Sequence, residues 1–493
     1  MLFNSIEFLI FFPIAVVAYY IFPKAIRNYW LLVCSYYFYM CWNPKYSFLL
    51  MTTTIITYLS GLLLDVVNKS ELDSGDTNRL RKCIVAVSFV LNIGLLFYFK
   101  YINFAMDIWE DIMSRFGMRL EAPVFDVILP VGISFYIFQA LSYTMDVYRG
   151  EIYAEKNPFR YALFVSFFPQ LVAGPIERSK NLLKQLAKPS EFVYENVRAG
   201  LLTMLWGYFL KLVIADRCAL LVDEVFSNVG EYRGYQLMTA SLLFTLQIYC
   251  DFMSYSTIAK GAAKVLGYEL MENFNTPYFA TSIQDFWRRW HISLSSWLRD
   301  YLYIPLGGNK KGRVRKQFNV LLTFFVSGLW HGAAFTFVIW GMVHGILQVI
   351  EDILKPYTDK LLQKAKINPD NKILLLVKIF VTFVMVDLAW VLFRADTLSD
   401  AVLVYSKMWQ TSGLEEIKYG IFEIGLDKHN WCLLLIGVAI LFCSSLMRSR
   451  SITLSEWISS KIFLIRYALY WGTMIMIMFS MDITGKEFIY FQF

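Results

Sequence analysis

Charge is scarce in this chain. Asp, Glu, Lys and Arg make up 17% of its 493 residues, where a soluble globular protein carries nearer a quarter, so an ordinary water-soluble domain is excluded. Histidine is scarcer still, with four in all. The seven cysteines (34, 41, 83, 218, 250, 432 and 443) form no Cys-x-x-Cys pair and lie mostly in or beside apolar stretches. That pattern argues against a disulfide framework and against a zinc site. The dinucleotide-binding, P-loop, His-Glu-x-x-His and Gly-x-Ser-x-Gly signatures are missing, so the common soluble chemistries have no support. Neither a metal nor a bound cofactor is expected.

What the chain does have is apolar length. Hydrophobic residues make up 57% and aromatics 18%. Stretches near the ~20 residues needed to cross a bilayer recur throughout, at 6–22, 47–64, 84–99, 201–221, 238–258, 373–393, 431–443 and 467–481. Shorter or interrupted ones lie at 30–42, 124–145 and 320–349. The expectation is an all-α polytopic membrane protein with about twelve crossings, forming one membrane-embedded domain over 1–493. Its catalytic core would lie at about 124–350, and a final span and aromatic tail would occupy 467–493. The N-terminal Met1-Leu-Phe-Asn-Ser-Ile-Glu7 has no basic n-region and no small-residue cleavage site after its apolar run. It reads as a retained first span.

The 46 Lys and Arg are concentrated at 23–28, 66–82, 148–199, 259–317, 351–372 and 447–466, while the loops 100–123, 222–235 and 394–430 are richer in acids. Basic loops stay cytoplasmic, so both termini are expected outside. This topology requires 159–176 to be re-entrant or in-plane. It also requires 318–349 to enter and return as two short helices, over a locally thinned membrane. Irregular backbone at that depth is tolerable only against protein or water. His331 then falls at the turn of a shallow, wet cavity.

The motifs converge on the same place. Trp287-Arg-Arg-Trp-His291 and Ser327-Gly-Leu-Trp-His331-Gly-Ala-Ala334 set two of the four histidines in aromatic, apolar sequence, where an ionisable side chain marks a pathway or a reaction site by default. A neutral imidazole at His331 can take a proton from a hydroxyl as general base. The alternative is a hydrogen-bonded core histidine. His291 reads as a supporting or interfacial group, and His344 and His429 receive no role. The basic, aromatic segment 259–317, with Arg288, Arg289, Lys310, Lys311 and Arg313, reads as a cytoplasmic mouth for a polyanionic substrate. Its alternative is a patch bound to anionic membrane lipid. Nucleic-acid binding has no supporting motif. Asp146 and Asp251, at membrane depth, read as structural partners of buried Arg or Tyr groups in preference to catalysts.

With these residues in view, the chain resembles the membrane-bound O-acyltransferases, in the subgroup of the alginate O-acetyltransferase membrane subunit. The teichoic-acid D-alanyl transferase membrane protein is a more distant likeness. The resemblance rests on Pro130-Val-Gly-Ile-Ser-Phe-Tyr136, Gln170-Leu-Val-Ala-Gly-Pro-Ile-Glu-Arg178, Asp251-Phe-Met-Ser-Tyr255, the run from Phe286 through His291 to Tyr301, and Ser327-Gly-Leu-Trp-His-Gly332. It implies a ring of helices around a thinned central funnel, with His331 catalytic and His291 an important pocket residue. It further implies acetyl-CoA as donor and an extracellular SGNH-type partner for acetylation of a cell-surface or secreted polysaccharide. D-alanyl transfer to teichoic acid is the rival within the enzyme class. A transporter is the rival outside it, although no inverted repeat is visible. The tail Phe488-Ile-Tyr-Phe-Gln-Phe493 resembles the aromatic C-terminal motif of the accessory peptide in teichoic-acid D-alanylation. That likeness marks Tyr490 as an acyl relay, against the alternative of an apolar plug.

Overall fold

The computed structural model describes residues 1–69, 74–118, 123, 125, 129–410, 413, 420, 422, 424–481, 488 and 489. Among them every regular element is helical. Seven helices are long and apolar enough to cross a membrane, and the shorter Ile6–Ile21 and Phe463–Met478 are also apolar. All eight of the uninterrupted apolar stretches read from the sequence fall on helices, with Phe22 and residues 479–481 just beyond the helix ends. The chain packs as two compact units, one of residues 1–204 and 258–271, the other of 205–257 and 272–493.

In the first unit, Ser5 caps the opening helix by accepting the Phe8 N–H at 3.3 Å, which occupies one of the four donors a helix start leaves open. The stretch 159–176 is broken. It forms Pro158–Ser166 and Phe168–Leu171 with a bend at Phe167, and residues 163–177 are all buried. Internal partners replace water there. Gln139 donates to the Phe164 carbonyl and Gln170 donates to Gln139 Oε1, each at 2.5 Å. Asp146, expected as a structural acid, accepts from Ser179 Oγ at 2.6 Å. Glu177 follows the broken segment and accepts from Asn181 Nδ2 at 2.9 Å and from the Met271 N–H. Burial still pushes its carboxyl up to about 7.

The second unit holds a helical hairpin, Arg313–His331 and Phe335–Lys364, joined through Gly332-Ala333-Ala334. The turn and the first helix fall where the sequence placed them. The second helix does not stop at 349; it runs on to Lys364. The apolar stripe ends near Glu351 and Asp352, but Glu, Lys, Gln and Leu are good helix formers and carry the backbone on. The two helices touch almost backbone to backbone. A Cβ on Gly328 would collide with the Phe337 carbonyl, and one on Gly341 with the Phe324 carbonyl. Small residues at such a crossing are what membrane helices use to approach closely.

Candidate active site

His331 is the last residue of Arg313–His331 and is 3% exposed. Three rings enclose its imidazole edge to face: Trp330 at 4.9 Å, Trp340 at 5.0 Å and Phe393 at 5.4 Å. Trp330 also lies against His291, at 5.7 Å between centroids. The two histidines singled out by the sequence, forty residues apart, thus share one indole.

His291 is wholly buried and adopts a left-handed backbone, φ 42°, which a non-glycine residue rarely takes. This residue separates the short helices Ile283–Arg289 and Ile292–Leu298. Its ring is fixed from two sides. Phe252 packs against it at 4.6 Å and 88°, and Nδ1 lies 3.1 Å from Asn273 Oδ1. That same oxygen accepts the Ser293 N–H at 3.3 Å and hydroxyl at 2.8 Å, while Asn273 Nδ2 donates to Ser256 Oγ at 3.0 Å. Because a backbone N–H can only donate, Asn273 presents oxygen to this corner. His291 Nδ1 therefore carries the proton, and its lone pair is at Nε2. Asn273 was invisible in the sequence, since it sits in irregular chain that no motif marks.

His344, given no role, is packed among Phe286, Trp287, Trp340 and Trp390. Trp287 Nε1 donates to its Nδ1 at 3.3 Å, so it holds an aromatic wall in place. His429 is exposed at the start of Lys428–Ser449.

A cavity of about 410 Å³ opens beside this cluster, with Trp287, Arg288, Ser295, Arg299, Lys316 and Ser327 in its lining. Ser327 lies one turn before His331 on the same helix face, ~6 Å along the axis. Trp287 stands 5.7 Å from Trp340, which in turn touches His331. Of the basic residues expected at a donor mouth, Arg288 lines this cavity. Arg289 instead pairs with Asp285 at 3.0 Å. Lys310, Lys311 and Arg313 are exposed and are not among the lining residues. Arg299 and Lys316, from the same basic segment, are. Among the described residues no group of three His, Cys, Asp or Glu has the arrangement to hold a metal ion.

Asp251, expected to pair with a buried Arg or Tyr, pairs with Lys211 at 2.7 Å, and Lys211 also reaches Asp216 at 2.9 Å. Lys211 sits on a π-helical stretch, Leu210–Ala215, an irregularity often found at functional sites. Tyr490 lies outside the described residues.

Sequence relatives identify the family. The profile of MBOAT, the membrane-bound O-acyltransferase family, matches residues 19–393. The chain is 38% identical to the probable alginate O-acetylase AlgI of Pseudomonas aeruginosa, over 86% of this chain and 79% of that protein. It is 34% identical to a peptidoglycan O-acetyltransferase of Helicobacter pylori, over 84% and 81% respectively. A teichoic acid D-alanyltransferase of Bacillus subtilis is 27% identical over 53% of this chain and 67% of that protein. A multi-pass membrane protein with two histidines buried around one tryptophan, beside a basic cavity, the chain belongs to the membrane-bound O-acyltransferase family.

Proposed function

We propose that this membrane O-acyltransferase takes an acetyl group from acetyl-CoA on the cytoplasmic side and passes it across the membrane for O-acetylation of a cell-surface or secreted polysaccharide. The observation that carries the reading is the pairing of His331 and His291 around Trp330, one helical turn beyond a cavity bearing Arg288, Arg299 and Lys316. Guanidinium and ammonium groups suit the phosphates of a coenzyme A, and the aromatic wall suits a thioester arm. His331 acts as general base. It accepts the proton of the attacking hydroxyl as the new C–O bond forms, and collapse of the tetrahedral intermediate expels the CoA thiolate. His291, held with its lone pair at Nε2, is the second polar group of the site. The family match runs through both compact units, which favours one catalytic domain over 1–493, with both termini outside.

The acceptor is read as a hydroxyl presented from the outer side, where Tyr490 would serve as a relay before an SGNH-type partner completes the transfer. A phenol, with pKa near 10, leaves an ester far more readily than a sugar hydroxyl does, so acetyl-tyrosine would keep most of the thioester's transfer potential. The AlgI and peptidoglycan relatives favour acetyl transfer, while the more distant relative keeps D-alanyl transfer as the second reading.

Membranes containing the enzyme, its partner and polymer, given acetyl-labelled CoA, test this directly. Label should enter the polymer, and His331→Ala should lower the rate by ~10²–10⁴-fold with unchanged expression. Tyr490→Phe should abolish polymer labelling, and a +acetyl mass should appear on the wild-type C-terminal peptide. Label incorporated only from a D-alanyl carrier would replace the acetyl reading. Normal transfer by a folded His331→Ala enzyme would overturn the base assignment.

A further inference from the structure

A buried ionic cluster fastens the C-terminal segment beside the histidines. Lys211, Asp216 and Asp251 are each 3% exposed or less at the side chain, and together they carry one positive and two negative charges. Asp251 divides its carboxylate. Oδ1 accepts from Lys211 Nζ at 2.7 Å, and Oδ2 accepts the backbone N–H of Ile489 at 2.7 Å, across 238 residues of sequence. One turn on, Tyr255 stacks on Phe488 at 4.2 Å and 25°. Phe252, next to Asp251, touches both Phe488, at 6.0 Å, and the His291 ring, at 4.6 Å. Phe488 and Ile489 are 0% and 2% exposed. A second buried cation, Arg217, donates to Ser480 Oγ at 2.9 Å, so the chain is gripped both before and after residues 481–487.

An apolar plug needs only apolar cover. Here the segment instead completes the coordination of a buried carboxylate, and a backbone amide is a donor that no side-chain substitution at 489 other than proline removes. A carboxylate left without this donor would be a costly buried acceptor, so docking of 488–489 and assembly of the charge cluster stabilise each other. The same docking presses Phe488 on Phe252, and Phe252 on the imidazole of His291.

We infer that Asp251 is a positioning residue for acyl transfer: by accepting the Ile489 N–H it latches Phe488 and Ile489 against Tyr255 and Phe252, and so holds the His291 ring in register with the site. The inference deepens the acyl-transfer reading above and rests on it. It assigns the cluster a working role distinct from general stability.

The test compares two full-length enzymes that share Lys211→Met and Asp216→Asn and differ at Asp251, so that no charge of the cluster remains to be stranded. Adding Asp251→Asn keeps an oxygen acceptor for the Ile489 N–H, whereas Asp251→Leu has the same size and no acceptor. The Asn enzyme should retain at least about a third of the native rate, and the Leu enzyme should be at least about tenfold slower than the Asn enzyme at equal thermal stability. In parallel, a thiol placed by Ile489→Cys should resist a membrane-impermeant maleimide in the Asn enzyme and react at least about tenfold faster in the Leu enzyme, read by mass spectrometry of the C-terminal peptide. Should the Leu enzyme fail to fold, Phe488→Ala in the otherwise native chain provides the same two readouts with the ions intact, and the latch predicts both loss of rate and thiol exposure. Equal rates and equal labelling in the Asn and Leu enzymes would overturn the latch. Absence of acetyl transfer in the parent enzyme would instead count against the acetyl reading, while the labelling arm would still decide the latch.

Discussion

The helices Gly75–Lys100 and Tyr235–Val265 are both long and apolar enough to span a membrane, yet they live in different solvents. In the most apolar stretch of the first, 17% of residues are buried in the protein; in the second, 78% are. The first turns Val90, Leu91 and Phe97 outward, and its buried polar pair is Asn92 donating to the Ser88 carbonyl. The second buries Gln247, Asp251, Ser254 and Ser256. Apolar length alone therefore does not locate chemistry in such a chain. A span that can carry acids and hydroxyls has neighbours in place of lipid, and function collects on those spans.

The strongest way to break this contrast is to strand a charge on the inner side. Lys211→Met leaves Asp216 and Asp251 facing each other without their cation, and should cost about 3–5 kcal/mol. Val90→Ala on the outer helix should stay within about 0.5 kcal/mol. Thermal unfolding of the two variants in one detergent checks both, and similar midpoints would erase the distinction. A smaller effect is expected from overpacking the helix crossing. Gly341→Val drives a side chain into the Phe324 carbonyl and should cost about 1–3 kcal/mol, whereas an added methyl on the outer helix should be tolerated.

Glu177 sharpens the comparison through pH. Its folded carboxyl, pushed up to about 7 from an ordinary 4.5, holds a proton that the unfolded chain has already released between those values. Stability is therefore greatest at the acid end of that window and falls as pH rises through it. Glu177→Gln should flatten the dependence of the melting temperature between pH 5 and 8, and an unchanged slope would remove Glu177 as its source. The smallest effect concerns the cavity. Arg288→Gln with Lys316→Gln should raise the KM for acetyl-CoA about 3–10-fold at nearly constant kcat, as for contacts equally strong in ground and transition states. The same pair made at the exposed Lys310 and Lys311 should change less, and the reverse ranking would return the donor mouth to the loop.

The sequence disclosed what depends on local chemistry. A histidine followed by Gly332-Ala333-Ala334, between two apolar segments too short for two full spans, announced a turn at His331, and that turn is there. Trp290 and Arg289 pointed to His291 but not to the residue that orients it. Asn273 reaches His291 only because irregular chain doubles back, and no periodicity describes that. Asp251 was readable as costly, yet its pairing with Lys211 spans 40 residues and its contact with Ile489 spans 238. Such partners are chosen by packing at a distance. The extension of the second helix to Lys364 was missed for the opposite reason, because the end of an apolar stripe was taken for the end of a helix.

The glycine crossing between Arg313–His331 and Phe335–Lys364 also has a consequence for biogenesis. The first of these helices, with Asn319, Ser327 and His331 along it, is not apolar enough to count among the candidate spans, whereas its partner is. Alone at the translocon it would partition poorly into lipid; paired through Gly328 and Gly341, it hides its polar atoms before meeting any. The two helices should therefore leave the insertion machinery as a hairpin, the later one escorting the earlier. Stalled chains ending before residue 335 should leave 313–331 extractable by alkaline carbonate, and chains reaching Lys364 should not. Stable insertion of the shorter chains would show that His331 enters the membrane without its escort.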